Sequence, residues 1–221
     1  MDDAMNPMKC VAVFGGSGKT GQEVVSIALK KGLRVKALYR PGSEPRSVPP
    51  RLEIIKGRLT ANEDVRRTMD GTTGAILVFG PRLGRRAKPD VFCEAATKTI
   101  IAEMKNLGVD RIICQTGAMA GGGSPNWSWM VSSFVRRYRK RFPTVDKDRD
   151  AQEIAVKESA LDWTLAKPFR ISGAKGKGAV RAAPEIRISA FTSVRRTDLA
   201  EFLVREFIDG RFHHQAVYIV T

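Results

Sequence analysis

Gly15, Gly18 and Gly21, each separated from the next by two residues, stand inside CVAVFGGSGKTG, residues 10–21. A short apolar run, Cys10 to Phe14, leads into them and an amphipathic pattern follows. That order suits a dinucleotide pyrophosphate. The first glycine permits a tight turn, the second lets the backbone approach the phosphates, and the third lets a helix pack on the strand. The helix N-terminus then points unpaired N–H groups at the anion. Ser17, Gly18, Lys19 and Thr20 join Gly15 and Gly21 as the expected contacts. A P-loop is the nearest alternative, because Gly18-Lys19-Thr20 matches its tail. It needs glycine five residues before Gly18, where Val13 stands, and an Asp ending an apolar strand, where the run Ala75 to Phe79 ends in Gly80.

Arg40 bears on which dinucleotide is bound. It follows the second strand, Arg34 to Tyr39, nineteen residues after Gly21. An acidic residue here would accept hydrogen bonds from a ribose 2′-OH and repel a 2′-phosphate. An arginine fork matches a phosphate dianion and keeps its charge. Lys19 adds a second cation. A charge-assisted contact contributes about 1.5–3 kcal/mol, so NADPH is expected to bind about ten- to hundredfold more tightly than NADH.

The elements that must carry these residues alternate. Strands are expected at 9–14, 34–39, 52–56, 75–79, 111–115, 162–166 and near 216–220. Helices are expected near 19–31, 61–69, 90–107, 128–141, 147–160 and 197–209. Strands such as AILVF at 75–79 are apolar throughout, as strands covered by helices on both faces must be. The expectation is an α/β, Rossmann-like, doubly wound parallel sheet with a small C-terminal substrate region. One domain spans 1–221, its minor substrate-binding region built from about 117–145 and 169–195. Gly-rich loops at Gly117–Pro125 and Gly173–Gly178 leave carboxyl ends of strands, where such sheets bind ligands.

At 221 residues and 43% hydrophobic, the chain can bury one core. No apolar run approaches the ~20 residues of a membrane helix, and the acidic start MDDAMNP does not read as a signal peptide. Cys10, Cys93 and Cys114 form no CxxC and read as reduced thiols of a cytoplasmic protein. The two histidines, His213 and His214, give no metal site. A net charge of +15 allows anionic ligands, nucleic acid or an acidic membrane surface. Its clusters are Arg82–Lys88, Arg136–Arg141 and Lys175–Arg187, with no helix-turn-helix, zinc-finger or RNP signature. In the second, Met130, Phe134, Tyr138 and Phe142 recur every four residues, which predicts a packed stripe with a solvated basic outer face. The expected partner is a small molecule, neither membrane nor nucleic acid, and the chain is expected to be a monomer or weak homo-oligomer.

The glycine loop, Arg40, GAILVFG at 74–80, EAATKTIIAEMKNLGVDRII at 94–113, DAQEIAVKESALDWTLAKP at 150–168 and VRRTDLAEFLVREF at 194–207 resemble the atypical short-chain dehydrogenases. The group is the NmrA-like, NAD(P)H-binding one that includes flavin and biliverdin-IXβ reductases, and the resemblance covers about 9–220. It implies the fold and NADP(H) binding. It also implies that Phe79, Gly80 and Pro81 border the central ribose, that Thr116 and Gly117 approach the nicotinamide, and that Pro168 and Phe169 lie near its carboxamide; Lys167, just before Pro168, is a further candidate to approach the cofactor. Where the family often has Asp near the adenine, this chain reads Lys56-Gly57-Arg58-Leu59. Arg58 and Leu59 would then flank the adenine, with Arg58 stacking on the ring or meeting a phosphate. Where the family often has two hydroxyl residues after the fifth strand, only Thr116 remains.

The usual acid of such enzymes is Tyr with Lys four residues on. Tyr39 and Tyr138 are followed at that spacing by Ser43 and Phe142, and Tyr218 by nothing. The remaining catalytic candidates are Thr116, whose hydroxyl can orient a substrate carbonyl, and Lys147, which with Asp146 and Asp150 opens a helix near the cleft. Trp127, Trp129 and Met130 follow the Gly-rich loop and suit a flat substrate. The expected activity is NADPH-dependent reduction of a flat, conjugated, anionic acceptor, flavin-, quinone- or polyketide-like, with the proton taken from water. The alternatives are a non-catalytic NADP(H)-sensing regulatory protein, or a non-redox dehydratase or isomerase on the same scaffold.

Overall fold

The computed structural model describes residues 9–81, 91–123, 126–173, 176, 178 and 180–221. In chain order the elements are β1 (Cys10–Phe14), α1 (Lys19–Lys30), β2 (Arg34–Tyr39), β3 (Leu52–Lys56), α2 (Asn62–Met69), β4 (Gly74–Leu77), α3 (Cys93–Asn106) and β5 (Arg111–Gln115). There follow a 3-10 turn at Ala120–Gly122, α4 (Trp129–Arg141), α5 (Pro143–Lys157), β6 (Asp162–Pro168), β7 (Ile171–Ser172), β8 (Arg181–Ala183), β9 (Val194–Arg195), α6 (Arg196–Asp209) and β10 (Gln215–Val220).

Eight strands form one sheet in the order β3-β2-β1-β4-β5-β6-β10-β8. Its pairs are parallel except β10–β8, which is antiparallel. The fold is the expected Rossmann-like α/β arrangement. β7 and β9 form a separate parallel pair beyond the carboxyl end of β6. Three short strands, β7, β8 and β9, escape periodicity, because two or three residues carry no alternation to read.

Two apolar cores lie on the two sheet faces. On one, Val24 and Ala28 of α1 and Leu199, Leu203 and Phe207 of α6 pack on Val11, Val13 and Ile76. On the other, Val65, Met69, Ile100, Met104 and Val156 pack on Phe14, Leu77 and Ile112. Each fully buried side chain of this size contributes about 1.5–3 kcal/mol. A third, smaller cluster joins Val131 and Val135 of α4 to Ile186, Ile188, Tyr218, Val220 and Ala118. It ties the segment after β5 to the segment after β8.

Two expectations need correction. α5 begins at Pro143, four residues earlier than expected, because proline suits the first helical position. The four-residue stripe on α4 is not a packed one. Val131 and Val135 are its buried residues, whereas Met130 and Phe134 are exposed and Tyr138 and Phe142 half-buried. The β-branched valines face the third cluster, and the larger apolar residues are left toward solvent.

Candidate dinucleotide and substrate site

The glycine loop closes where the motif requires. Gly15 has φ +95°, a left-handed conformation that glycine adopts without strain, and a Cβ there would lie 2.9 Å from the Val78 carbonyl oxygen. A Cβ on Gly21 would meet the Gly15 carbonyl oxygen and come within 2.8 Å of Gly16 Cα. The Gly18 amide donates to Gly15 O at 3.0 Å, which tightens the turn. α1 then starts with no capping side chain and no acid in its first turn, and Lys19 opens it. Its N-terminus is left open and positive, as an anion requires. The cradle that a Cβ would fill, and the helix end without a carboxylate, fit a pyrophosphate.

Arg40 is exposed at the carboxyl end of β2, where the Ser43 amide donates to its carbonyl and closes a turn. Glu44 pairs with Lys56 at 3.3 Å, so the nearest acid along the chain is turned to another cation. Tyr39 is buried, and its ring packs where a Cβ on Gly16 would go, 2.8 Å away. Arg58 is exposed after β3, and its amide donates to Asp64 Oδ2 at 2.9 Å. Asp64 of α2 thus brings a carboxylate to the turn where the sequence lacks one. Leu59 packs against the second core.

The other expected cofactor contacts lie at the ends of β4, β5 and β6. Phe79 is buried against Phe92, ring centroids 5.8 Å apart, and Gly80 is exposed next to half-buried Pro81. The Thr116 and Ala118 amides donate to Ala166 and Pro168 carbonyls, so β5 and β6 stay side by side past their formal ends. Pro168 and Lys167 are buried, and Gly117 and Phe169 half-buried. Along the sheet the order runs Arg58 and Leu59, Arg40, the glycine loop, Phe79 to Pro81, Thr116 and Gly117, then Lys167 to Phe169. These are the carboxyl ends of six adjacent parallel strands, about 24 Å of edge at the usual strand spacing.

α5 supplies the residues that sequence reasoning missed. Asp148, Arg149, Gln152 and Glu153 share one helix face by their spacing. The buried Asp148 carboxylate accepts from the Phe92, Cys93 and Glu94 amides at 3.2, 2.9 and 3.0 Å, capping α3. The Arg149 guanidinium donates to the Phe79, Gln115 and Thr116 carbonyls and to Gln152 Oε1. It holds the ends of β4 and β5 together. Glu153 accepts from the Thr116 hydroxyl at 2.8 Å and from Lys167 Nζ at 3.0 Å, and Lys167 also donates to Ala120 O at 2.7 Å. Burial lowers the Lys167 pKa from the ordinary lysine value, and Glu153 opposes the shift. No local motif marks these four, whose partners outside α5 lie 14 to 70 residues away. Asp148, Gln152 and Glu153 are buried beside Val145 and Val156, and in a helix this polar, nothing local separates them from surface residues.

The structure does not gather every expected residue. Lys147 is exposed, off the face of α5 that meets the strand ends. Asp146 pairs with Arg139 of α4 at 3.2 Å, and Asp150 accepts from the Gly121 amide at 2.7 Å. Trp127 packs on Phe169 and Tyr218, centroids 6.3 and 6.5 Å away, and its indole N–H is buried without a partner. Trp129 and Met130 point outward, away from that cluster. Arg82, Arg85, Arg86, Lys88, Lys175 and Lys177 lie outside the described residues. Among the described residues there is no metal-ligand cluster, and no helix is long and apolar enough to cross a membrane.

The family model described as NAD(P)H-binding matches residues 15–209. Among solved structures, the chain is similar to the anaerobilin reductase ChuY from Escherichia coli, at 19% identity and TM-score 0.78, covering 96% of this chain and 97% of that one. It is similar to a short-chain dehydrogenase/reductase from Veillonella parvula in complex with NADP, at 13% identity and TM-score 0.79, covering 96% and 94%. A Rossmann-fold NAD(P)-binding family protein from Shigella flexneri matches at 18% identity and TM-score 0.70, covering 96% and 93%. At these identities the structures speak for the fold. The family model covers the glycine loop and all the strand ends described above, and the chain belongs to the NAD(P)H-binding family of Rossmann-fold proteins.

Proposed function

We propose that the chain is an NADP(H)-dependent oxidoreductase that reduces a flat, conjugated acceptor. The observation that carries this reading is the run of cofactor-type residues along six adjacent strand ends, with Arg40 where an NAD site has an acid. Gly15, Gly18 and Gly21 leave room for the pyrophosphate, and the first turn of α1, with Ser17 and Thr20, receives its charge. Arg40 and Lys19 meet the 2′-phosphate. Arg58 and Leu59 flank the adenine, and Phe79, Gly80 and Pro81 the central ribose. Thr116, Gly117, Lys167, Pro168 and Phe169 surround the nicotinamide. When bound, that ring supplies hydride.

The substrate region is the lobe built on the third apolar cluster, from about 117–145 and 169–195. Trp127 and Phe169 form its aromatic wall. Thr116 is a positioning residue rather than an acid, because its hydroxyl proton is held by Glu153. A conjugated acceptor takes its proton from water, and the protein contributes orientation and electrostatics. Three buried thiols support a reducing compartment such as the cytoplasm.

The test is oxidation of NADPH by the purified protein with flavins and quinones as acceptors. The reading expects turnover that falls when Trp127 is replaced by Leu. NADPH binding without turnover on any acceptor would favour the sensing protein. Product formation without NADPH loss would favour a dehydratase or isomerase.

A further inference from the structure

We propose that α4 docks the protein onto an anionic lipid surface. The helix presents Trp129, Met130 and Phe134 at 80%, 46% and 56% exposure. An open depression of about 1040 Å³ runs along it, and all its lining residues fall between Trp129 and Phe142. No other element of the described fold covers this face. Singly exposed apolar residues are ordinary, but three on one helix within six positions form a patch.

The charge pattern identifies the occupant. Arg136, Arg137, Lys140 and Arg141 are exposed on the second half of the same helix. Apolar residues thus occupy its first half and cations its second. The apolar side chains and the cations share the exposed side of the helix, and an anionic lipid surface offers acyl chains to the first and headgroup phosphates to the second. The apolar end enters the boundary between headgroups and chains, and the cations meet headgroup phosphates.

A second apolar element stands beside it. The Ser128 amide, just before α4, donates to Ile188 O at 3.4 Å. The loop so attached carries Phe191, 86% exposed, and exposed Arg187. Two neighbouring segments therefore repeat one pairing, a large exposed apolar residue with an exposed cation nearby. A second copy of this chain is a poor occupant, because two copies of α4 would put eight exposed cations into one contact and the helix carries no acidic residue to pair with them. A stacking platform for single-stranded nucleic acid tracks the backbone with cations along its whole length, whereas α4 separates cations from aromatics along its axis. The expectation of a packed stripe rested on a burial that Met130 and Phe134 do not have.

The proposal is independent of the cofactor and acceptor. Its test is co-sedimentation of the full chain with vesicles of phosphatidylcholine alone or mixed with phosphatidylglycerol, with tryptophan emission followed in parallel and compared with that of Trp129→Phe, since Trp127 and Trp163 also emit. Binding is expected to the mixed vesicles only, weakened by salt, with a blue shift in emission. Phe134→Ser is expected to weaken it at least about tenfold. Arg137→Glu with Lys140→Glu is expected to weaken it more than about 25-fold, at roughly fivefold for each cation removed. Circular dichroism of the variants checks folding, and Phe191→Ser provides a second apolar variant on a different segment. The proposal is overturned if the wild type ignores anionic vesicles, or if binding survives these substitutions. It is equally overturned if the same variants abolish self-association or oligonucleotide binding while vesicles are not bound.

Discussion

Lys167 Nζ lies 2.8 Å from Glu153 Oε1 and 3.0 Å from its Oε2, an ion pair with side chains 5% and 1% exposed between the end of β6 and the inner face of α5. The pair also takes the Thr116 hydroxyl, so three candidate site elements meet at one carboxylate. A buried pair of this kind contributes little against an apolar replacement, yet losing one partner costs about 3–5 kcal/mol. Its value here is positional, since it fixes where Thr116 stands.

Glu153→Gln leaves the Lys167 ammonium buried without its counter-charge. Burial already holds the Lys167 pKa below the ordinary value, and the loss of Glu153 lowers it further. Between that lowered value and the unfolded value the unfolded state binds more protons, so stability rises with pH across the window. The deficit of the variant is expected to be largest below the folded pKa and to shrink as pH rises toward the unfolded value. Urea unfolding across a pH series measures it.

Arg149 joins the Phe79, Gln115 and Thr116 carbonyls. Arg149→Met should cost about 2–3 kcal/mol, because buried carbonyls lose a charged donor. It should also weaken NADPH binding, because the ends of β4 and β5 are no longer tied. Unfolding and titration of the same variant separate the two effects.

Gly15→Ala places a Cβ 2.9 Å from Val78 O at φ +95°. Gly21→Ala drives one into the Gly15 turn. Each is expected to lower dinucleotide affinity at least about tenfold by reshaping the loop. An Ala substitution at Gly71, where nothing lies within 4 Å despite φ +68°, controls for backbone strain alone.

All three cysteines are buried. Burial pushes the Cys93 thiol up to about 11 and the Cys114 thiol up to about 12. Both stay neutral at mildly alkaline pH and are poor nucleophiles. A thiol reagent at such pH is expected to titrate none of them in the folded protein and all three in denaturant.

The strand and glycine pattern at 10–21 was legible in the sequence because its information is local. Cys10 to Phe14 are all buried, and the glycines answer to contacts within the loop and the adjoining strand. Arg40 was legible for the same reason, as the residue at a strand end. Asp148, Arg149 and Glu153 were not, since their meaning depends on α5 meeting α3 and the ends of β4, β5 and β6. α4 misled because a four-residue apolar spacing shows which residues share a face but not whether that face is covered. Val131 and Val135 share another face, and the third cluster takes that one.

The most direct test of the central claim is calorimetric titration with NADPH and NADH of the wild type and of Arg40→Ala. The account predicts that NADPH binds about ten- to hundredfold more tightly than NADH and that the variant loses this margin while still binding NADH. Equal affinity for both dinucleotides in the wild type, or a margin that survives Arg40→Ala, would contradict it.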